Sequence, residues 1–331
     1  MAWTPSIASA RLAIQNGNWF SLGRPKLGNG GRMLALWSFV LPLLAWCLVS
    51  YVPAVWHPLM LVTNPGDVAY LETGMRMDRQ AFADAVTEAR EANTAPPKGI
   101  PANPVYLPAP GEVASALWTA LRAAPLHDTP TLPWSMWHSI QIIFWGFLLS
   151  SLVGVPLGIL CGASKTFGGL VEPFVDFFRY MPAPAFGALM VAILGIYDGP
   201  KIAIIVIGTF FQQVLIIANT TRQADKLLIE AALTLGARKL KLLTHIVVPA
   251  VMPQLFRDQR ILLGWAWTYL IVAELIGTSS GITFFITQQA RYQHFENVYS
   301  GILIIGLVGS LTDVALGRLG RRLFPWDQVN R

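Results

Sequence analysis

Six apolar runs, each near the length needed to cross a bilayer, constrain this chain more than any other feature. About 20 consecutive apolar residues span the hydrocarbon core. There each segment must satisfy its own backbone N–H and C=O groups, so such runs fold as helices. The runs are Met33–Trp56, Trp134–Gly162, Pro184–Tyr197, Ile202–Thr220, Ile261–Ile276 and Val298–Leu316. The third and fifth are short and interrupted by glycine or polar residues. Hydrophobic residues are 54% of the 331 and charged ones 13%, where a soluble domain carries roughly a quarter charged residues. The expected fold is an all-α integral membrane protein of about six transmembrane helices. Met33–Trp56 has no charge, exceeds the apolar region of a signal peptide and lacks a convincing cleavage site, so it reads as a retained span.

The formal charge of +6 does not indicate nucleic acid, because the basic residues lie in loops between apolar runs rather than on one face. With the N-terminus inside, 17 of the 24 Lys and Arg fall on the cytoplasmic side. Of the other 7, 5 occupy one long loop, where the positive-inside rule loses force. Both termini are therefore expected in the cytoplasm of a bacterial cell with an inner membrane. Residues 1–32 form a basic N-terminal segment, 33–56 the first helix and 57–133 a periplasmic loop. Residues 134–317 form the transmembrane core with a cytoplasmic loop at 221–258, and 318–331 form a tail. The long loop exceeds what a compact protein leaves structureless. It holds a charged helix candidate at Asp78–Ala92, a proline-rich stretch that cannot be helical throughout, and an amphipathic helix at 111–124. The last places Val113, Leu117 and Leu121 on one face, as a helix lying on the outer membrane surface would. A platform for an outside partner and a cap over the spans both remain open for it.

Catalytic and metal chemistry find little support. Cys47 and Cys161 sit in apolar runs and read as small buried hydrophobes. The five histidines are scattered and no HExxH occurs, so no metal site is expected. GASKT at Gly162–Thr166 has Ser164 where a phosphate-binding loop needs glycine, and it follows an apolar helix rather than a strand.

The polar run EAALTLGARKLKLLTHIVVP, Glu230–Pro249, stands out between apolar segments. Leu227, Leu228, Ala231 and Leu235 share a helical face, Gly236 supplies a helix stop, and a second amphipathic stretch with Leu240, Leu243 and Ile246 is expected to end at Pro249. The spacing of Glu230, Ala231, Ala232, Gly236, Ile246 and Pro249 resembles the cytoplasmic EAA loop of ATP-binding-cassette importer permeases. Four further blocks resemble the nitrate, taurine and sulfonate branch of that family in the right order: Leu107–Trp118, Pro156–Phe186, Trp265–Ile282 and Val298–Trp326. Two departures concern the outward side. About 40 residues, His57–Gly99, are inserted, and LGIYDGPK at Leu194–Lys201 differs from the FGIG-type sequence common there.

The resemblance implies a type I, MetI-like permease fold with a cytoplasmic coupling helix and an enlarged periplasmic loop. It also implies a homodimer, two separate ATPase subunits that bind ATP and Mg, and a periplasmic or lipid-anchored solute-binding protein. Alternating access would import a small solute such as nitrate, a sulfonate, taurine or bicarbonate, and this chain would be no enzyme and bind no cofactor. Glu230, Ala231, Ala232, Leu235, Gly236, Ala237 and Arg238 would contact the ATPase. A secondary transporter or channel, and a non-transporting membrane scaffold, are the rival classes.

Polar residues inside the runs complete the expectations. Ser150, Gly154, Gly158 and Gly162 fall four apart, a stripe that lets another helix pack closely. Glu274 is an intramembrane carboxylate, which by default faces a cavity or a partner. Lining the path and hydrogen bonding inside the bundle are both open for it. Tyr180, Gln212, Gln213 and Thr268 are further path candidates. Asp313 is expected to pair with a basic neighbour. No Lys or Arg is expected inside a span, which leaves hydroxyls, amides or helix N-termini to hold an anion.

Overall fold

The computed structural model describes residues 28–53, 55–123, 131–276 and 280–327. Most of the expected N-terminal segment, the end of the 111–124 helix and the last tail residues lie outside these. The chain divides into two units, Met1–Pro104 and Val105–Arg331.

The first unit begins with helix α1, Gly28–Tyr51. The inserted segment that follows departs from the helical expectation. Strands β1 (Leu59–Asn64), β2 (Arg76–Asp78) and β3 (Lys98–Ala102) form an antiparallel sheet in the order β2-β1-β3. Leu59 pairs with both Asp78 and Ala102. β3 is an edge strand and so tolerates Pro101, which has no N–H to give a ladder. Helix α2, Arg79–Glu91, is the charged helix read from the sequence. Its start is fixed by the Asp78 carboxylate, which accepts the Gln80 N–H at 2.8 Å. Val62, Leu71, Phe82 and Ala85 give the insert a small core.

The second unit opens with α3, Pro110–Arg122, the expected amphipathic helix. It is held against α12 (Phe295–Leu323), where Ser300 Oγ donates to the Val113 carbonyl at 3.1 Å. The periplasmic loop expected at 57–133 is thus divided, its second part belonging to the core unit. Helix α4 covers Leu132–Ala163, and α5, Lys165–Arg179, follows one residue later. A 3-10 turn at Ala183–Phe186 leads into the short α6, Gly187–Leu194, and then α7, Asp198–Arg222. Helix α8 is Lys226–Thr234. The last three helices before α12 are α9 (Lys239–Leu242), α10 (Val248–Ile276) and α11 (Ile282–Arg291).

Among the described residues, four helices are long and apolar enough to cross a membrane: Met33–Tyr51 of α1, α4, α7 and α12. The third expected span falls in a pair bent by 85°, α5 with Ala183–Leu194, which makes five if counted as one. The fifth lies on α10, a 29-residue helix that also carries Arg257, Asp258 and Arg260. The sixth runs on to Leu323, so residues 318–323 of the expected tail are helix. The second amphipathic stretch does not end at Pro249 either. A π-turn at Leu243–Val247 joins α9 to α10 without a break. The Val248 N–H reaches back to the Leu243 carbonyl, and this widened turn accommodates a proline that would otherwise clash with the carbonyl four residues back.

Helices α4 and α7 form the axis of the second unit. A Cβ placed at Gly158 would lie 2.8 Å from both Ile217 Cβ and the Val214 carbonyl, and one at Gly162 would lie 2.5 Å from the Ala218 carbonyl. A Cβ at Gly154 would meet Gln213 Oε1 at 2.9 Å. Ser150 Oγ, on the same stripe, donates to that oxygen at 2.7 Å. Around this seam Ile142, Ile143, Ile204, Ile205, Ala266, Leu270 and Ala273 form the main core.

Charged groups enter the helices more than the sequence suggested. Lys201 lies in the first turn of α7, 1% exposed. Its Nζ donates to Asp198 Oδ1 at 3.0 Å and to Ser280 Oγ at 2.8 Å. Arg260 on α10 grips both oxygens of Asp313 on α12 at 2.8 Å. Burial of Lys201 is tolerated because its charge has a partner, whereas the Arg260–Asp313 pair stays open to its surroundings.

The α4–α7 seam yields a stability prediction. Gly158→Val is expected to lower the stability of the detergent-solubilised protein by about 1–3 kcal/mol through overpacking. A thermal unfolding midpoint equal to that of the unaltered chain would contradict the seam.

Candidate functional site

The EAA segment folds as a short helix closed at both ends by its own residues. Asp225 caps α8, its Oδ1 accepting the Leu227 N–H at 2.9 Å. At the other end Gly236 adopts φ +81°, a left-handed conformation that costs glycine little. The Gly236 N–H then donates to the Leu233 carbonyl and the Ala237 N–H to the Ala232 carbonyl, both at 3.0 Å. This pair of bonds is the Schellman closure. It turns the chain so that the Arg238 carbonyl accepts the Leu242 N–H at 2.8 Å and starts α9.

The inward face of α8 carries Ala232, which is buried, and Ile229. The hairpin is rooted in a cluster of Ile217, Ala224, Val247, Val251 and Leu255. Its other face is bare. Leu227 is 73% exposed and Leu235 89%, with Leu228 and Leu233 also open. The four residues expected on one face thus point to solvent rather than into the bundle. Glu230, Ala231 and Arg238 are exposed beside them, and Glu230 has no ion pair among the described residues. A row of exposed leucines beside an unpaired carboxylate on a hairpin outside the long apolar helices is a patch of the kind that soluble surfaces seldom leave uncovered.

The helix segments on either side of the hairpin are tied to the bundle by side chains. Arg222, at the end of α7, pairs with Glu172 of α5. Thr220 Oγ1 donates to Asp258 Oδ2 on α10 at 2.5 Å, and Gln254 Nε2 donates to Asp258 Oδ1 at 2.8 Å.

The path candidates do not converge. Gln213 is buried in a network, its Nε2 donating to Ser151 Oγ at 2.8 Å and to Gln259 Oε1 at 2.6 Å. It therefore ties α4, α7 and α10 together instead of facing open space. Gln212 lines a cavity of about 580 Å³ with Glu172, Asp176 and Arg179. Tyr180 is exposed, with the Arg179 guanidinium 4.4 Å from its ring centroid. Thr268 is exposed on α10.

Glu274 is 1% exposed and acts as a clamp. Ser139 of α4 donates its hydroxyl to Oε1, and the Thr283 N–H at the start of α11 donates to Oε2 at 2.8 Å. Ser139 Oγ in turn accepts the Ile282 N–H at 2.8 Å. Two N–H groups of the first turn of α11 are thus satisfied by residues of two other helices, where a helix start otherwise leaves them orphaned. Glu274 also lies at the edge of a second cavity, of about 430 Å³, between the end of α10 and α11.

Residues 154–325 match the family model for the binding-protein-dependent transport system inner membrane component. The chain belongs to that family. Among relatives, it is 32% identical over 224 residues to a probable ABC transporter permease protein of Brucella abortus strain 2308, covering 68% of this chain and 87% of that one. It is 30% identical over 224 residues to the taurine transport system permease protein of Escherichia coli K12, covering 68% of this chain and 81% of that one. Among solved structures, the inward-facing MetNI methionine ABC transporter aligns with TM-score 0.52 at 18% identity, covering 56% of this chain and 93% of that one. This likeness supports the MetI-like fold. The chain is an ABC importer permease, and the hairpin, the α4–α7 seam and the Glu274 clamp all belong to the permease core.

Gly281, at φ +106°, is where the clamp is most exposed to test. A Cβ there would overlap the Glu274 carboxylate. Gly281→Ala in the permease is expected to lower the unfolding midpoint, at a cost of about 2 kcal/mol or more from strain and lost hydrogen bonds. Gly306→Ala on α12, where nothing lies within 4 Å, is the control expected to stay near the parent. Equal midpoints for the two variants would remove the clamp.

Proposed function

We propose that this permease forms half of a solute path that closes and reopens as separate ATPase subunits bind ATP with Mg and hydrolyse the ATP. In this reading the chain hydrolyses nothing itself. It works as a homodimer in the bacterial inner membrane with both termini in the cytoplasm, and a binding protein delivers solute from the opposite side. The cargo is a small oxyanion of the sulfonate or nitrate kind, an assignment favoured by the similarity to a taurine permease. Bicarbonate belongs to the same class of small anions.

The observation that carries the reading is the bare leucine face of α8, held out by the Gly236 turn on a root of buried residues. Ala231 and Ala232 keep the helix thin enough to sit in a groove, Glu230 awaits a basic partner, and Arg238 flanks the turn. Force on α8 passes into α10 through the continuous helix from Lys239 to Ile276.

The test separates coupling from folding. Gly236→Pro cannot reach φ +81° and also loses the N–H given to Leu233, whereas Glu230→Lys changes charge alone. Both variants are expected to insert normally, to recover less ATPase on purification, and to lower uptake at least about tenfold, the factor that corresponds to losing roughly 1.4 kcal/mol at an interface. Full ATPase recovery with full uptake in both would refute α8 as the coupling element. A purified chain that moves solute under an ion gradient with no ATPase present would favour a secondary transporter instead.

A further inference from the structure

We propose that Gln288 and Arg291, in a cavity that Thr287 helps to line, form an oxyanion subsite that selects the charged group of the cargo. This deepens the permease reading above and rests on it for the word cargo. The second cavity described above, about 430 Å³, lies between the end of α10 and one face of α11. Phe284, Thr287, Gln288 and Arg291 all line it, at the spacing that stacks residues on a single helical face. The opposite face of α11 is spent on packing, with Ile282 and Phe285 buried and Ile286 lying against Gly301 of α12.

Arg291 differs from the paired cations of the fold. Arg179, Lys201, Arg222, Arg257 and Arg260 each hold a carboxylate, while Arg291 has no ion pair among the described residues. The carboxylates on the helices packed against α11 are committed elsewhere. Helix α4 has none. On α10, Glu274 is taken by Ser139 and Thr283, and Asp258 by Thr220 and Gln254. On α12, Asp313 is held by Arg260, and Glu296 lies 3.5 Å from His294. The Thr287 hydroxyl donates within its own helix to the Thr283 and Phe284 carbonyls at 2.9 and 3.0 Å, so the donors facing an oxyanion are the Gln288 amide and the unneutralised Arg291 guanidinium, which can grip its planar face with two parallel N–H groups. Phe284 and Leu275 supply an apolar wall for the carbon chain of an alkanesulfonate.

The test uses thiol reagents, one of which carries a sulfonate. Thr287→Cys is made in a chain with Cys47→Ser and Cys161→Ala, assembled with its partner subunits in membrane vesicles. Its labelling by sulfonatoethyl methanethiosulfonate is compared with that by the cationic trimethylammonioethyl reagent. The anionic reagent is expected to react about tenfold faster, the scale on which a charged cleft concentrates its ligand. Arg291→Gln should abolish the preference and Arg291→Lys keep part of it. Taurine or nitrate should slow labelling while tetramethylammonium should not. A rate ratio unchanged by Arg291→Gln overturns the subsite, as does protection that follows phosphatidylglycerol content rather than added anion. Gln288→Cys, on the same face, serves if Thr287→Cys reacts with neither reagent, and silence at both positions also rejects the proposal. A complex that imports solute yet shows no charge preference rejects the subsite alone. A complex that recovers no ATPase and imports nothing rejects the permease mechanism, and the labelling ratio still reads the subsite.

Discussion

The close approach of α4 and α7 is the constraint on which the rest of the permease core depends. In a bilayer, lipid tails are as apolar as leucine, so helices gain little by exchanging lipid for one another unless their backbones come close or polar groups meet. This chain uses both means along one seam. Gly154, Gly158 and Gly162 leave no room for a side chain opposite Gln213, Ile217 and Thr221. Ser150 and Ser151 hydrogen-bond Gln213 within the same contact. The third helix joins through the polar groups that the first two leave over. Gln213 reaches Gln259, and Thr220 reaches Asp258, both on α10. Glycine brings the first pair together, and amide and carboxylate groups bring the third helix to it.

That order of assembly explains how a short helix at one end of α7 can act on groups far from it. The root of α8 shares Ile217 with the seam. From the hairpin the chain runs as uninterrupted helix from Lys239 to Ile276, a rod of roughly 55 Å at 1.5 Å per residue. Near its far end Glu274 holds the first turn of α11, and α11 carries the face with Arg291. Tightly packed interiors switch between arrangements and do not deform smoothly, so in the proposed mechanism a push on α8 would reach α11 as movement of one body. The π-turn at Leu243–Val247 is the one irregular stretch of that rod, and it sits beside the hairpin, where a change of angle has the longest lever.

What the sequence made legible follows from which signals are strong. Helices α4, α7 and α12 appear as long apolar runs, and α2 as a charged helix set off by Asp78. Of the bent pair, Ala183–Leu194 falls on the short span expected at Pro184–Tyr197, whereas α5 does not read as membrane-crossing because Lys165, Glu172, Asp176 and Arg179 interrupt its apolar face. The inserted sheet was missed because LMLVTN, RMD and KGIPA are too short for a period of two to register, and Pro101 argues against a strand until its edge position is known. Pro249 reads as a stop, since sequence alone does not disclose a π-turn. Glu274 could be narrowed to a path or a hydrogen bond but not decided between them, because its partner Ser139 is 135 residues away. Arg291 was overlooked, although the spacing of Phe284, Thr287, Gln288 and Arg291 was visible, because a single basic residue in a ten-residue helix resembles an ordinary helix end.

Lys201 and Arg291 show how the same charge is put to opposite use in one core. Lys201 is fully enclosed, and its ammonium meets Asp198 and Ser280, with His138 Nε2 also 3.0 Å from Asp198 Oδ1. Enclosing an ammonium costs several kcal/mol of lost hydration, so it is stable there only because those partners are fixed in place. Such an arrangement locks α4, α7 and the turn before α11 together, and it leaves the lysine nothing to offer a ligand. Arg291 keeps its contact with water, so no internal carboxylate is required to stabilise it. A cation solvated in an open cavity can exchange water for an oxyanion without first breaking a protein ion pair, and the difference in free energy between those two ligands then becomes available for selection. The permease core thus spends one basic residue on holding its helices and leaves another uncommitted where a passing anion can meet it.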